Sequence, residues 1–352
     1  MKIAAISVKS ELKSITNSAH VYPATFADTG HNLVGLNKAD GSFKAVEIDS
    51  VGSFANRMES ELKNAISDIL PDITTTISGR TLSVMELPHR IYDAILRDST
   101  LDATPWRKSE VGNKILTSNP QNATALYTYA PLTLLLGGWD SHGGDAGNGV
   151  KITRSVACEI WGYDGVISKH CTQRIDPLDI TSNAQKHLMV DGVLTLAPDQ
   201  KAKEGKKPSE LGHGDVPSKA DKGVFVDRIE LSGAISLTRL NRYQFPDDNG
   251  DTSPERNAAA VNVLTEIAKL GISLVLDNLD LRSGCELYSE NRQFDIIYAN
   301  GNRESIDVCS STEHLKTAIS LAEEHGLKFN DKPLQLMAGK ALADLVARGG
   351  DL

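Results

Sequence analysis

Aromatic residues occupy only 5% of this 352-residue chain, and it has just four cysteines. No apolar run approaches the roughly 20 residues that cross a bilayer, the longest being residues 130–138. The opening MKIAAISVKSELK has neither an apolar core nor a small-residue cleavage site, so no signal peptide is expected and the chain reads as cytoplasmic. Cys158, Cys171, Cys285 and Cys309 include no C-x-x-C pair. Reduced, buried thiols are expected, not a disulfide framework. A zinc site of His142, Cys158, His170 and Cys171 can be drawn, but its spacing fits no usual pattern, so no metal is expected. Missing too are a P-loop, a well-placed G-x-G-x-x-G and a G-x-S-x-G, which leaves no cofactor signature and no serine-hydrolase elbow.

At 40% hydrophobic and 24% charged, the chain has the composition of a folded globular protein. Its net charge of −9 is unevenly spread: −3 over residues 1–150, +2 over 151–245 and −8 over 246–352. The total does not argue for nucleic acid, but recognition depends on the local field, and the middle of the chain is its most basic part.

Residue spacing predicts a strand over 1–9, an irregular insertion over 10–45 and a strand over 46–51. Phe54, Met58, Leu62, Ala65, Ile66 and Ile69 follow helical spacing, with Ser53 placed as cap and Pro71 as the stop. A helix is expected over 89–96, irregular chain over 105–122, a buried strand over 129–136 and a helix over 150–163, where Ile152, Val156 and Ile160 form a stripe. Next come a strand over 188–196, a flexible loop over 199–222 with six lysines, and an alternating strand over 223–237. After it follow a helix over 254–270, strands over 272–276 and 294–299, and helices over 312–325 and 333–348. Strands and helices mix without a βαβ period, which favours an α+β fold.

The glycine-rich segment Trp139–Gly149 invites two readings: a tight turn, or a backbone-amide cradle for an anion. Asp140, Ser141, His142 and Asp145 could be assembled into a catalytic set, but sequence neighbours rarely form one. Arg57, Arg90, Arg154 and Arg174 each read singly as salt-bridge residues. Gathered around one loop they would suit phosphodiester binding, because guanidinium forks match phosphate oxygens.

Six segments then occur in order: Val51-Gly52-Ser53-Phe54-Ala55-Asn56-Arg57-Met58-Glu59, Pro88-His89-Arg90-Ile91, Leu136 to Gly144, Gln173 to Leu178, Ser209 to Pro217, and Leu281 to Leu287. Together they resemble the CRISPR-associated RAMP backbone subunit of the type I-G (formerly type I-U) Cascade complex. The resemblance implies a single elaborated α+β domain over 1–352. That domain would be an RRM-like, ferredoxin-type palm whose large insertions form thumb and finger or web regions, with residues 246–352 as its acidic C-terminal part. It implies a non-catalytic role, with copies stacked head to tail along a guide RNA (crRNA), which pairs with the target DNA strand. The further partners it implies are the large subunit and the guide-processing RAMP subunit, with no membrane and no cofactor. The RNA-binding candidates are then Arg57, Arg90, Trp139, Ser141, His142, Gly143, Gly144, Lys151, Arg154, Arg174, His213 and Arg282. Asp140 or Asp145 could be likened to the cutting aspartate of type III relatives, but the type I-like context disfavours it. The alternative is a RAMP-type, metal-independent ribonuclease that processes guide RNA, with His142 or His213 as general acid–base.

Overall fold

A computed structural model describes residues 2–26, 28–140, 150–168, 173–180, 186–197, 205–214, 216–217 and 223–349. Its centre is an eight-stranded sheet. Four long strands form the middle, in spatial order Leu287–Tyr298, Ile3–Ser14, Val224–Ile235 and Val156–Ile167, every neighbouring pair antiparallel. Numbered along the chain, that order is 4-1-3-2. The helix Val51–Ile66 falls between the first and second of these strands, and Pro254–Asp277 between the third and fourth. The short strand Arg303–Ile306 lies beyond Leu287–Tyr298, and Ser42–Asp49 extends the opposite edge.

Period-2 patterning decides which sheet face is covered. Ile6, Val8 and Leu12 are buried together with Val226, Ile229, Leu231 and Ile235 and with Val156, Cys158 and Ile160. Phe54, Met58, Leu62 and Ile66 are buried along the first helix, and Gly271 of the long helix lies close against Met58 and Leu62. A Cβ at Gly271 would come within 2.9 Å of the Met58 methyl, so the two helices pack at glycine distance. The long helix, of 24 residues, has the length and composition to cross a membrane, yet 78% of its apolar window is buried inside the protein. The expectation of no such run is corrected by this helix; its interspersed Asn262, Glu266 and Lys269 hid it.

Several expected boundaries also move. The insertion expected over 10–45 is strand up to Ser14, because Ser10 and Leu12 continue the buried face while Glu11 and Lys13 take the other. It also holds two-residue strands at His20–Val21 and Leu33–Val34. The first helix is capped by Ser50, not Ser53: the Ser50 hydroxyl accepts the Ser53 N–H at 3.2 Å. The polar stretch over 105–122 contains the helix Glu110–Leu116, capped by Ser109. The segment over 89–96 is a 3₁₀ turn, Arg90–Tyr92, followed by a four-residue helix. The apolar run over 129–136 is the buried helix Pro131–Leu136, since an unbroken apolar run carries no period and Pro131 suits a first helical turn. The helix expected over 150–163 is the strand pair Val150–Ile152 and Val156–Ile167; a four-residue stripe is also a multiple of the strand period, and Cys158 and Gly162 fill the alternate buried places. The strand expected over 188–196 is a hairpin, His187–Val190 and Val193–Leu196, turned by Asp191 and Gly192, both at positive φ (51° and 77°). Residues 272–276 are the last turns of the long helix, and 333–348 divides into the strand Leu334–Ala338 and the helix Lys340–Gly349.

That late strand pairs in parallel with Ile73–Ile77 and antiparallel with Ser99–Leu101, completing a second, five-stranded sheet. In the lysine-rich segment, Pro208–Leu211 is a 3₁₀ turn and Val216–Pro217 pairs with Gln173–Arg174. The rest of the loop expected over 199–222 lies mostly outside the described residues.

Candidate nucleic-acid interface

The first helix is the hub on which the separated motifs converge. Glu59 falls one turn after Ala55 and three residues before Leu62, so helical spacing turns its carboxylate inward. A buried carboxylate needs a partner. Arg90 supplies one in a two-point fork: its Nε donates to Oε1 at 2.6 Å and its Nη2 to Oε2 at 2.8 Å. Burial pushes the Glu59 carboxyl above its ordinary value, while Arg90 and then Arg154 pull it back. Arg90 holds a left-handed backbone, φ 52°, inside its tight turn. A side chain in that region costs on the order of 1–3 kcal/mol and persists only where the surroundings fix it. Here the Glu59 fork and the turn's own backbone bonds fix it.

The same arginine reaches the end of the buried helix Pro131–Leu136. Three successive carbonyls there accept from three donors: Leu135 from the Ser155 N–H at 2.7 Å, Leu136 from Arg154 Nε at 2.9 Å, and Gly137 from Arg90 Nη1 at 3.5 Å. Carbonyls at a helix end carry partial negative charge, which suits guanidinium donors. Gly137 takes φ 81°, ψ 166°, a region open essentially only to glycine. At Gly138 a Cβ would lie 2.7 Å from the Tyr92 ring. The glycine pair therefore lets the chain leave the helix tight against Arg154 and Tyr92.

The strand Gly138–Asp140 then pairs with Val150–Ile152, setting Trp139 directly across from Lys151. Asp140 points inward and accepts from Arg107 at 2.7 Å; Trp139 points out. The result is a groove of about 300 Å3 lined by His89, Arg90, Trp139, Lys151 and Arg154 together with the glycine pair. Arg90 is neutralised by Glu59. Among the described residues, neither Lys151 nor Arg154 has a carboxylate within ion-pair distance. Burial and then the nearby Arg90 charge push the Arg154 guanidinium below its ordinary value, while Glu59 opposes them. Arg239, outside the lining, donates to the Arg154 carbonyl at 2.5 Å. Such a groove can hold an anion.

A second convergence joins the first helix to the Leu281–Leu287 segment. Arg57 donates to buried Asp49 at 3.3 Å and to the Leu281 carbonyl at 3.2 Å. The buried Nε of Arg282 has no hydrogen-bond partner among the described residues. Beside these groups Cys285 is sealed in, its thiol pushed up to about 12 by burial. Arg57 thus acts first as a clamp, while Arg282 keeps donor capacity.

The third convergence lies in the insertion. Gln173 and Arg174 pair with Pro217 and Val216, and His213 lines a cavity of about 240 Å3 with His187, Ile180 and Leu194. The nearby hairpin exposes Met189, Val190, Val193, Leu194 and Leu196, apolar side chains on both of its faces.

Of the twelve residues expected to meet RNA, Arg90, Trp139, Lys151 and Arg154 come together in one groove. Arg57 and Arg282 lie at the second convergence, and Arg174 and His213 belong to the third. Ser141, His142, Gly143 and Gly144 lie outside the described residues, as do Asp145, His170 and Cys171. Cys158 is buried, its thiol also pushed up to about 12 by burial. Among the described residues no group of three or more His, Cys, Asp and Glu could hold a metal ion. Sequence reasoning missed His89, which lines the groove, and Glu59 and Arg239, which bond to its arginines from outside the lining. Glu59 was legible, since a glutamate on the apolar stripe of a helix demands a cationic partner; Arg239 carries no such sign.

Residues 6–166, a little under half of the chain, match the family model of the CRISPR-associated protein GSU0053. No curated protein matches the sequence. Every residue lining the groove lies within the matched span, and across that span the chain is similar to a CRISPR-associated family.

Proposed function

We propose that this chain is a non-catalytic backbone subunit that binds guide RNA in a type I-G CRISPR Cascade complex. In that reading copies stack head to tail along the guide in the cytoplasm, meet the large subunit and the guide-processing RAMP subunit, and present the guide to a target DNA strand. The observation that carries it is the groove, where motif segments from residues 88–91 and 136–139, the first held by Glu59, converge around Lys151 and Arg154, two cations with no carboxylate partner among the described residues. Phosphate is the anion such a groove meets along a nucleic acid, and guide pairing leaves the protein to read backbone and shape.

The fold supports the same reading. The four long strands and the two helices between them, in the order β-α-β-β-α-β with strands 4-1-3-2, support reading this part as a ferredoxin-type, RRM-like palm. The second sheet with its neighbours would be the finger or web. The hairpin His187–Leu196 would be the thumb: apolar on both faces, it is suited to insertion between two surfaces. Neither metal nor cofactor enters this role.

The test is co-expression with a repeat–spacer RNA and partner subunits, then sizing and sequencing of the co-purified nucleic acid. The reading expects guide-length RNA in a large multi-copy particle. An RNA-free monomer, with guide and partners present, would refute it.

One observation favours a second reading, the guide-processing ribonuclease. His213 shares its cavity with His187, whose buried Nδ1 has no partner among the described residues. Two histidines lining one cavity can serve as acid and base in RNA cleavage without a metal. Cleavage of labelled repeat RNA in the presence of a chelator, lost in both His187→Ala and His213→Ala, would install that reading in place of the first.

A further inference from the structure

We infer that Trp139 is a stacking platform for an unpaired base of single-stranded nucleic acid, with Lys151 and Arg154 taking the adjoining phosphate; this rests on the groove's reading as a nucleic-acid site. Three features point to it. The indole is 64% exposed, whereas Trp106 is buried at 2% and Trp161 is half-buried. Folding does not require that exposure, since a large aromatic gains most when it is covered.

The direction of the indole is fixed. Along Gly138–Asp140 side chains alternate, so the inward Asp140, bound to Arg107, forces Trp139 outward. The Tyr92 ring lies against Gly138, where a Cβ would come within 2.7 Å of it. Among the described residues no ring or cation packs on the indole.

The neighbours select the occupant. Lys151 is the cross-strand partner of Trp139, so its ammonium rises on the same face. Arg154 and His89 line the same groove. A protein partner seated on a lone tryptophan is matched by an apolar surround. Here the surround is cationic, and an aromatic face beside positive charge is how single strands are held, base on ring and phosphate on cation. Duplex, whose bases are already stacked, offers no such face. Because every base has a π-face, the platform tolerates sequence, as a guide-coating protein requires.

The experiment compares binding of an adenine oligonucleotide with that of an abasic strand of equal length and charge, by fluorescence polarisation on the full chain. Trp139→Ala should weaken binding of the base-bearing strand by about 5- to 100-fold and leave the abasic strand unchanged. Trp139→Phe should keep most of the affinity. Lys151→Glu with Arg154→Glu should weaken both strands alike. If Trp139→Ala keeps the preference for the base-bearing strand while the charge reversals still act, the platform is overturned and the groove stands. If self-association falls and strand binding does not, Trp139 is a protein contact and the platform is again overturned. If neither strand binds the unaltered protein, the platform and the groove's reading fall together.

Discussion

Replacing Arg90 by methionine tests the centre of this architecture. The substitution keeps the apolar bulk of the side chain and leaves the carboxylate of Glu59 buried with no fork to receive it. Removing one partner of a buried pair costs about 3–5 kcal/mol, chiefly because the remaining charge is stranded. Burial already holds the Glu59 carboxyl above its ordinary value, and Arg90 is the larger of the two cations opposing that rise. In the variant the folded-state value climbs further above the unfolded one. The native protein then holds the proton more tightly than the unfolded chain does, so stability increases as pH falls through the raised value towards about 4.3. The deficit against the unaltered protein is therefore full at neutral pH and shrinks on acidification. Urea unfolding followed by tryptophan fluorescence, at about pH 7.5 and about pH 5, measures both. A deficit below about 1 kcal/mol, or one equal at the two pH values, would refute the argument. The double variant Glu59→Met with Arg90→Met removes both charges and should recover much of the loss, because an apolar pair of similar volume leaves nothing unsatisfied.

Reversing charge at Lys151 and Arg154 should weaken RNA binding across all sequences and lower the log–log salt slope by about one per lost phosphate contact; an unchanged slope counts against the groove. Gly137→Ala should destabilise by about 1–3 kcal/mol in a denaturant titration, since φ 81° and ψ 166° exclude a β-carbon. Its methyl would also stand 3.1 Å from the Arg154 amide nitrogen. Of the described cysteines, exposed Cys309 should react with a thiol reagent in native buffer near pH 8. Cys158 and Cys285, with thiols pushed up to about 12, should react only on unfolding, which peptide mapping would show.

Part of this was legible in the residues. The strand Val224–Ile235 announces itself by alternation, and the first helix by its four-residue stripe, because in both the buried face alternates with polar positions. The run over 129–136 reads as a strand but folds as a helix, since it is buried on every side and has no polar phase to read. Ile152, Val156 and Ile160 misled because a spacing of four satisfies helix and strand alike until Cys158 and Gly162 are counted. The arginines of the groove could be nominated by type. Sequence could not tell which were already occupied, because that depends on Glu59 and Asp49 being brought against them from elsewhere in the chain.

The five-stranded sheet has a consequence for how the polypeptide is made. Its strand Ile73–Ile77 leaves the ribosome long before its parallel neighbour, Leu334–Ala338. The strand Ile3–Ser14 likewise waits, at the middle of its own sheet, for neighbours at 224–235 and 287–298. Until those later strands emerge, both sheets carry bare hydrogen-bonding edges, the kind that recruit strands from other chains. Folding is then governed by contacts of very long sequence separation, which form slowly. A nascent chain of this design gains from anything that covers those edges early, so the order of its synthesis becomes part of its folding.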